Sequence, residues 1–260
     1  MAKNHQADNP LFKALSKRYE AQIAEAYATI IVYFDSSVGI GEHPQFINEM
    51  DKQLDILAFG AHPDDVELSC SGTIAKHIAL GSKVGIVDLT QGELGTRGSA
   101  AIRKEEATNA AYILGVSFRK NLGFRDGFFV NDETHQLEVI RLIRQHQPDV
   151  VLCNAIDDRH IDHAKGSDLV SNACFLSGLS KIVTQDADGK DQTAWRPKQV
   201  FHYIQWKDIV PDFVVDVSPF IEQKMEAIQA YKSQFFDSNS KAPQTPISSK
   251  NFMDSVRYRA

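Results

Sequence analysis

The chain has 260 residues, ordinary hydrophobic content and a formal net charge of -6. That length buries a full core, as one large α/β domain or as one domain with an appendage. The acidic balance argues against nucleic acid or an anionic membrane as the main partner, and a small acidic substrate would need local arginines. No stretch approaches membrane-spanning length, and Met1 to His5 has no apolar leader region after it. Cys70, Cys153 and Cys174 lack CxxC spacing, which suits a reducing cytosol better than a disulfide framework. The expected location is the cytoplasm.

Residues 1–53 differ in pattern from the rest of the chain. Leu11, Leu15, Tyr19, Ile23 and Tyr27 recur at near-helical spacing, Ser37 to Gly41 breaks the pattern, and 44–52 reads as a second short helix. This predicts a helical appendage with no chemical motif. From Leu54 strands and helices alternate. The apolar run Ile56 to Phe59 reads as a buried strand ended by Gly60 and Ala61, before a helix from Ser71 to Leu80. A strand from Lys83 to Leu89 leads to a glycine-rich loop, Thr90 to Ser99, and a helix from Ala100 to Leu114 that stops at Gly115.

A strand near Phe118 to Leu122, a loop over Gly123 to Gly127 and a helix from Leu137 to His146 come next. The strand Val150 to Asn154 then leads through the loop Ala155 to His163 into a helix, Ala164 to Leu179. Strands at Val200 to Trp206 and Phe213 to Val217, a helix from Pro219 to Phe235 and an irregular tail, Ser238 to Ser249, complete the pattern. Repeated βα units predict an α/β fold with a Rossmann-like, mostly parallel sheet covered by helices on both faces.

Two polar clusters stand at strand ends, where ligands gather in such sheets. The first is His62-Pro63-Asp64-Asp65. Adjacent carboxylates are poor core material unless paired or coordinated. One of them can join His62 on a metal while the other faces a water; helix capping by Asp is the plainer alternative. The second is Asp157 to His163, an HxxH with Asp162 between the imidazoles. One imidazole can bind a metal while the other, held by a carboxylate, serves proton transfer or an oxyanion. Alone, an HxxH is no more than a solvated polar loop. A His, an Asp and a second His leave a tetrahedral zinc one open position, the pattern of a catalytic site.

These residues carry a resemblance. His62-Pro63-Asp64-Asp65 after a strand, followed by Val66-Glu67 and Gly72-Thr73-Ile74, resembles the LmbE/PIG-L family of zinc-dependent N-acetylglucosaminide deacetylases. Arg159-His160-Ile161-Asp162-His163 is similar to that family's second motif, with Ile161 where Pro is common. Asp88 to Gly98, Asn121 to Gly127, Cys174 to Gly178 and Ser233 to Phe236 look like the bacillithiol-biosynthesis branch. The resemblance covers Leu54 to Ala260, omits residues 1–53, and implies a usual end segment beyond Ala260.

The resemblance implies His62, Asp65 and His163 as Zn2+ ligands, although such ligands also suit Fe2+ or cobalt. Asp64 would be the general base. His160, oriented by Asp162, would steady the oxyanion as a cation. The implied substrate is N-acetylglucosaminyl malate, and the implied assembly a homo-oligomer. Arg97, Arg103 and Arg159 are candidates for its carboxylates, because guanidinium pairs with carboxylate in a bidentate way. Arg103 is otherwise a solvated helix charge, and Thr90 to Ser99 lacks the ending of a phosphate-binding P-loop.

Deacetylation of a different N-acetylglucosaminyl conjugate is the near alternative. A nucleotide- or sugar-binding module of the same architecture is a different class, disfavoured by the missing GxGxxG; intact Asp64 and His160 speak against a non-catalytic remnant. Cys153 reads as core, Cys70 and Cys174 as packed in helices, His77, His135 and His146 as surface groups, and His202 as core or pocket wall.

Overall fold

In the computed structural model, which describes residues 53–259, five strands form one all-parallel sheet. They are β1 (Ile56–Gly60), β2 (Val84–Thr90), β3 (Phe118–Phe124), β4 (Val150–Cys153) and β5 (Gln199–His202), in the order β3-β2-β1-β4-β5. The described residues lie in the second of two units into which the chain divides, Lys52–Ala260. All but the last residue of the helical appendage expected over 1–53 lie outside them. Helices α1 (Asp65–Ser69) and α2 (Ser71–Ala79) follow β1, and α3 (Ala100–Leu114) follows β2. Then α4 (Glu133–His146) follows β3 and α5 (Ile161–Leu176) follows β4; α6 (Ile221–Gln229) and α7 (Lys250–Arg259) close the described chain. Among the described residues no helix is long and apolar enough to cross a membrane.

Alternation along β1 explains the layering, because successive side chains point to opposite faces of a strand. Leu57 and Phe59 pack with Val139, Ile140 and Ile143 of α4 and Leu169 and Val170 of α5. Ile56 and Ala58 point the other way, into Ile74 of α2 and Leu114 of α3. Both central strands are buried along their whole length, as strands covered on both faces must be. Each large side chain so buried contributes about 1.5–3 kcal/mol. Local signals set the helix ends: Ser99 Oγ accepts from the Ile102 N–H, Asp132 accepts from the His135 N–H, and Gly115 takes a left-handed φ of 76° after α3.

The C-terminal part departs from expectation. Phe213 to Val217 joins no strand; it runs as an irregular segment with Phe213 edge-on to Phe201 at 5.1 Å. Apolar, β-branched residues fit a strand only where a partner edge is within reach. The helix expected to run to Phe235 stops at Gln229, because Ser233 donates its N–H and hydroxyl to the buried Glu106 carboxylate. Helix α7 was signalled by Ser249, whose Oγ accepts from the Phe252 N–H, and lies beyond the expected irregular tail. His146 is buried against Phe118, not at the surface.

Below the sheet end lies a buried charge network. Arg119 makes a two-pronged contact with Asp88, at 2.9 and 2.8 Å, also reaches Glu67, and donates to Tyr231 Oη at 2.9 Å. Burial pushes the Asp88 carboxyl up even beside this guanidinium. Removing one partner of a buried ion pair strands the other charge, at a cost of about 3–5 kcal/mol. Arg119→Leu is therefore expected to lower the urea unfolding free energy by about that amount; an unchanged midpoint would show that the network holds nothing.

Candidate active site

The strand order reverses between β1 and β4, whose carboxyl ends splay into a crevice. Both polar clusters enter it from there. Gly60 permits the sharp turn, since a Cβ there would come within 3.0 Å of the His62 carbonyl and 3.2 Å of Asp65 Cβ. Asn154, at the end of β4, accepts from the Ala61 N–H at 2.8 Å and donates to Asp65 Oδ2 at 3.1 Å, binding the two strand ends together. Asp64 takes φ 116°, a region that non-glycine residues adopt only when their surroundings impose it, most often at functional sites. The cavity, about 1140 Å³, is lined by His62, Asp64, Asp65, Arg103, His160 and His163 among others.

The two imidazoles expected as ligands are arranged alike. His62 Nε2 lies 3.1 Å from Asp126 Oδ1, while its Nδ1 faces Asp65 Oδ2 at 3.5 Å. His163 Nδ1 lies 2.7 Å from Asp158 Oδ2, while its Nε2 faces Asp65 Oδ1 at 3.1 Å. Each ring thus has one nitrogen held by an outer carboxylate and the other turned to Asp65. That is how metal-ligating histidines are oriented. Among the described residues, two sets have donor atoms within 4.8 Å of one another, His62/His160/His163 and His62/Asp126/Asp162. Asp65 is in neither set, yet contacts both imidazoles.

Charge balance in the crevice favours cations. Burial opposes a charged His62, but Asp126, Asp162 and Asp65 outweigh it and lift its pKa well above the usual range. Burial likewise opposes a charged His163, yet Asp65 and Asp158 raise it to about 9. For Asp65, burial is outweighed by His163 and His62, which hold its carboxyl well below the usual range. Asp64 goes the other way: burial, partly offset by Arg103, pushes it up to about 7.

The structure places Asp162, His160, Arg103 and Arg97 as follows. Asp162 does not orient His160 through its carboxylate; its backbone N–H donates to His160 Nδ1 at 3.2 Å. The carboxylate itself turns to the Gly127 N–H, Lys165 and His62. Since Nδ1 accepts, the neutral ring of His160 carries its proton on Nε2, and burial with the neighbouring His62 and His163 lowers its pKa. Arg103 is buried in the cavity wall and paired with Asp64 at 3.1 Å, also reaching the Pro63 carbonyl. Arg97 does not line the cavity. It fastens the glycine-rich loop to Ser240, at 2.6 Å, and to the Gln234 carbonyl.

Arg159 is at the mouth, exposed, with its guanidinium 4.6 Å above the Trp206 ring. His202 lines the cavity, as read from the sequence. Asp126, Asp158 and Asn154 join the site beside the residues expected from the sequence. The signal for Asp126 was its place in the loop Gly123 to Gly127; Asp158 stood one residue before Arg159 in the second cluster.

The family model PIG-L, GlcNAc-PI de-N-acetylase, matches residues 57–174, a span containing both clusters. Residues 57–174 are thus a PIG-L/LmbE family domain. Diacetylchitobiose deacetylase of Thermococcus kodakarensis is 28% identical to it over 222 residues, 81% of this chain and 78% of that protein. Probable N-acetyl-alpha-D-glucosaminyl L-malate deacetylase 2 of Bacillus anthracis is 27% identical, over 72% of this chain and 84% of that one. The crystal structure of the conserved protein TT1542 from Thermus thermophilus matches with a TM-score of 0.66 at 39% identity, covering 70% of this chain and 80% of that chain. The protein carrying this domain is a deacetylase, a hydrolase of linear amides.

Proposed function

We propose that the chain hydrolyses the N-acetyl group of N-acetylglucosaminyl malate, with a divalent metal, Zn2+ or else Fe2+, held by His62, Asp65 and His163. The observation that carries this reading is the pair of imidazoles braced by Asp126 and Asp158 with their other nitrogens on Asp65. The donor set fits such an ion: nitrogen and carboxylate ligands suit zinc, and the carboxylates of Asp65, Asp126, Asp158 and Asp162 that raise the pKa of the two imidazoles make a negative surround that favours a cation. When bound, zinc polarises the amide carbonyl and acidifies water to near neutrality.

Asp64, buried and held by Arg103, accepts the proton of the attacking water. The Nε2–H of His160 donates to the carbonyl oxygen as it gains charge. Water adds to the amide carbon, the C–N bond breaks, and the proton carried by Asp64 passes to the departing amine. Arg159 supports an anionic aglycone, since its guanidinium is fixed on Trp206 at the mouth with its N–H edge available. A cytoplasmic homo-oligomer belongs to the same reading; the three free, buried thiols accord with a reducing compartment.

The test is amine release from N-acetylglucosaminyl malate by zinc-loaded and chelator-treated protein. Metal-dependent turnover is expected, and equal rates in both samples would refute the metal role. Arg159→Ala is expected to raise KM for the malate conjugate about tenfold or more, the worth of a charge-assisted hydrogen bond, and to leave a methyl glycoside little changed. An equal rise for both substrates would remove malate as the reading of Arg159.

A further inference from the structure

The segment after β5 touches the proposed metal site twice. Gln205 Nε2 donates to Asp65 Oδ1 at 2.8 Å, the same oxygen that faces His163 Nε2. Two residues on, the Lys207 N–H donates to Asp158 Oδ1 at 3.1 Å, while Asp158 Oδ2 holds His163 Nδ1. The other oxygen of Asp65 is held from the sheet framework, by the His62 N–H at 2.9 Å and by Asn154. Oδ1 takes its hydrogen bond from Gln205, which stands on irregular backbone. A carboxylate fixed at one oxygen still swings about its last torsion, and the second donor stops that motion.

The irregular segment is held from outside by α7. Arg259 Nη1 donates to the carbonyls of Gln205, at 3.3 Å, and Trp206, at 2.9 Å. Phe252 stacks on Trp206 at 5.6 Å and on the buried Phe235 at 6.2 Å, which ties the helix to both. Tyr203 adds an inner anchor through its hydroxyl to the Phe59 carbonyl at 2.8 Å.

We infer that Gln205 is a positioning residue of the metal site, acting through Asp65, and that helix α7 braces it. This rests on the ligand set proposed above. Gln205 Oε1 is buried with no hydrogen-bond partner, so the side chain is engaged at its Nε2 end, and a methionine of similar length removes that donor with little change in packing. Outer-shell partners of this kind change metal affinity by about 10–100-fold.

The experiment is a zinc titration against a chromophoric chelator, on the full chain, with the unfolding temperature of each metal-free variant measured alongside. Gln205→Met is expected to bind zinc about 10–100-fold more weakly and to unfold at the parent's temperature without metal. Arg259→Met is expected to weaken zinc binding in the same direction and by less. Parent-like affinity in Gln205→Met overturns the positioning role, and parent-like affinity in Arg259→Met overturns the brace. Gln205→Leu is the second donor-free variant if the methionine protein does not fold. His163→Ala in the same titration separates the two readings: a parent that takes no zinc, or a His163→Ala protein that keeps it, sinks the ligand set. Tight zinc in both the parent and Gln205→Met sinks only the role of Gln205.

Discussion

Replacing His163 by alanine is expected to remove metal and turnover together. Its Nδ1 is fixed on Asp158 at 2.7 Å, which turns Nε2 toward Asp65. His160 is next in the crevice, with its ring 5.3 Å from His163 between centroids, but with Nδ1 accepting from the Asp162 N–H its Nε2 carries the proton of the neutral ring. Two ligands then remain where a catalytic zinc takes three. Losing the ion forfeits several kcal/mol of transition-state stabilisation, which at about 1.4 kcal/mol per decade is roughly a thousandfold or more in kcat. Metal content by elemental analysis and amine release on the same sample check it. Stoichiometric zinc in an inactive His163→Ala protein would remove His163 from the ligand set and leave it a role in catalysis alone.

Asp64→Asn should do the reverse and keep the metal while losing turnover. The substitution is chosen for the backbone. At φ 116° an alanine would add strain of its own, whereas Asn is among the few residues enriched at positive φ. Asparagine also keeps an oxygen for Arg103, now 3.1 Å from the carboxylate. What it loses is the ability to accept a proton, typically worth 10²–10⁴-fold, roughly, in rate. The raised pKa of about 7 for Asp64 comes mainly from burial; a cation beside it would lower that value, keeping the carboxylate ionised at neutral pH. Zinc-replete Asp64→Asn with parental kcat would rule out the base, and loss of zinc from it would place Asp64 among the ligands.

The layered sheet was legible because its signals are local. The run Ile56 to Phe59 is apolar at every position, so it could only be a strand buried on both faces or a piece of buried helix, and Gly60 ended it. Ser99 and Gly115 marked the ends of α3 to the residue. The catalytic clusters were legible for a related reason: their polar residues directly follow strands, where this architecture places its ligands. Beyond β5 local signals failed. Phe213 to Val217 has strand composition but found no partner edge, and the helix ending at Gln229 yields to a long-range bond from Ser233 to Glu106 that no short window contains.

Residue order by itself therefore determined the fold class, the family and which short motifs face the crevice, since each depends on periodicity or on neighbours within a few positions. Which charges meet was decided only by tertiary structure. Arg97, Arg103 and Arg159 looked equivalent as guanidinium groups, yet folding buries the first against Gln234 and Ser240, pairs the second with Asp64 and leaves the third on Trp206 at the mouth. Asp126 reaches His62 across 64 positions, and Gln205 reaches Asp65 across 140. Contacts at such separations depend on how the layers pack, because a buried charge takes whichever partner the completed core puts within reach.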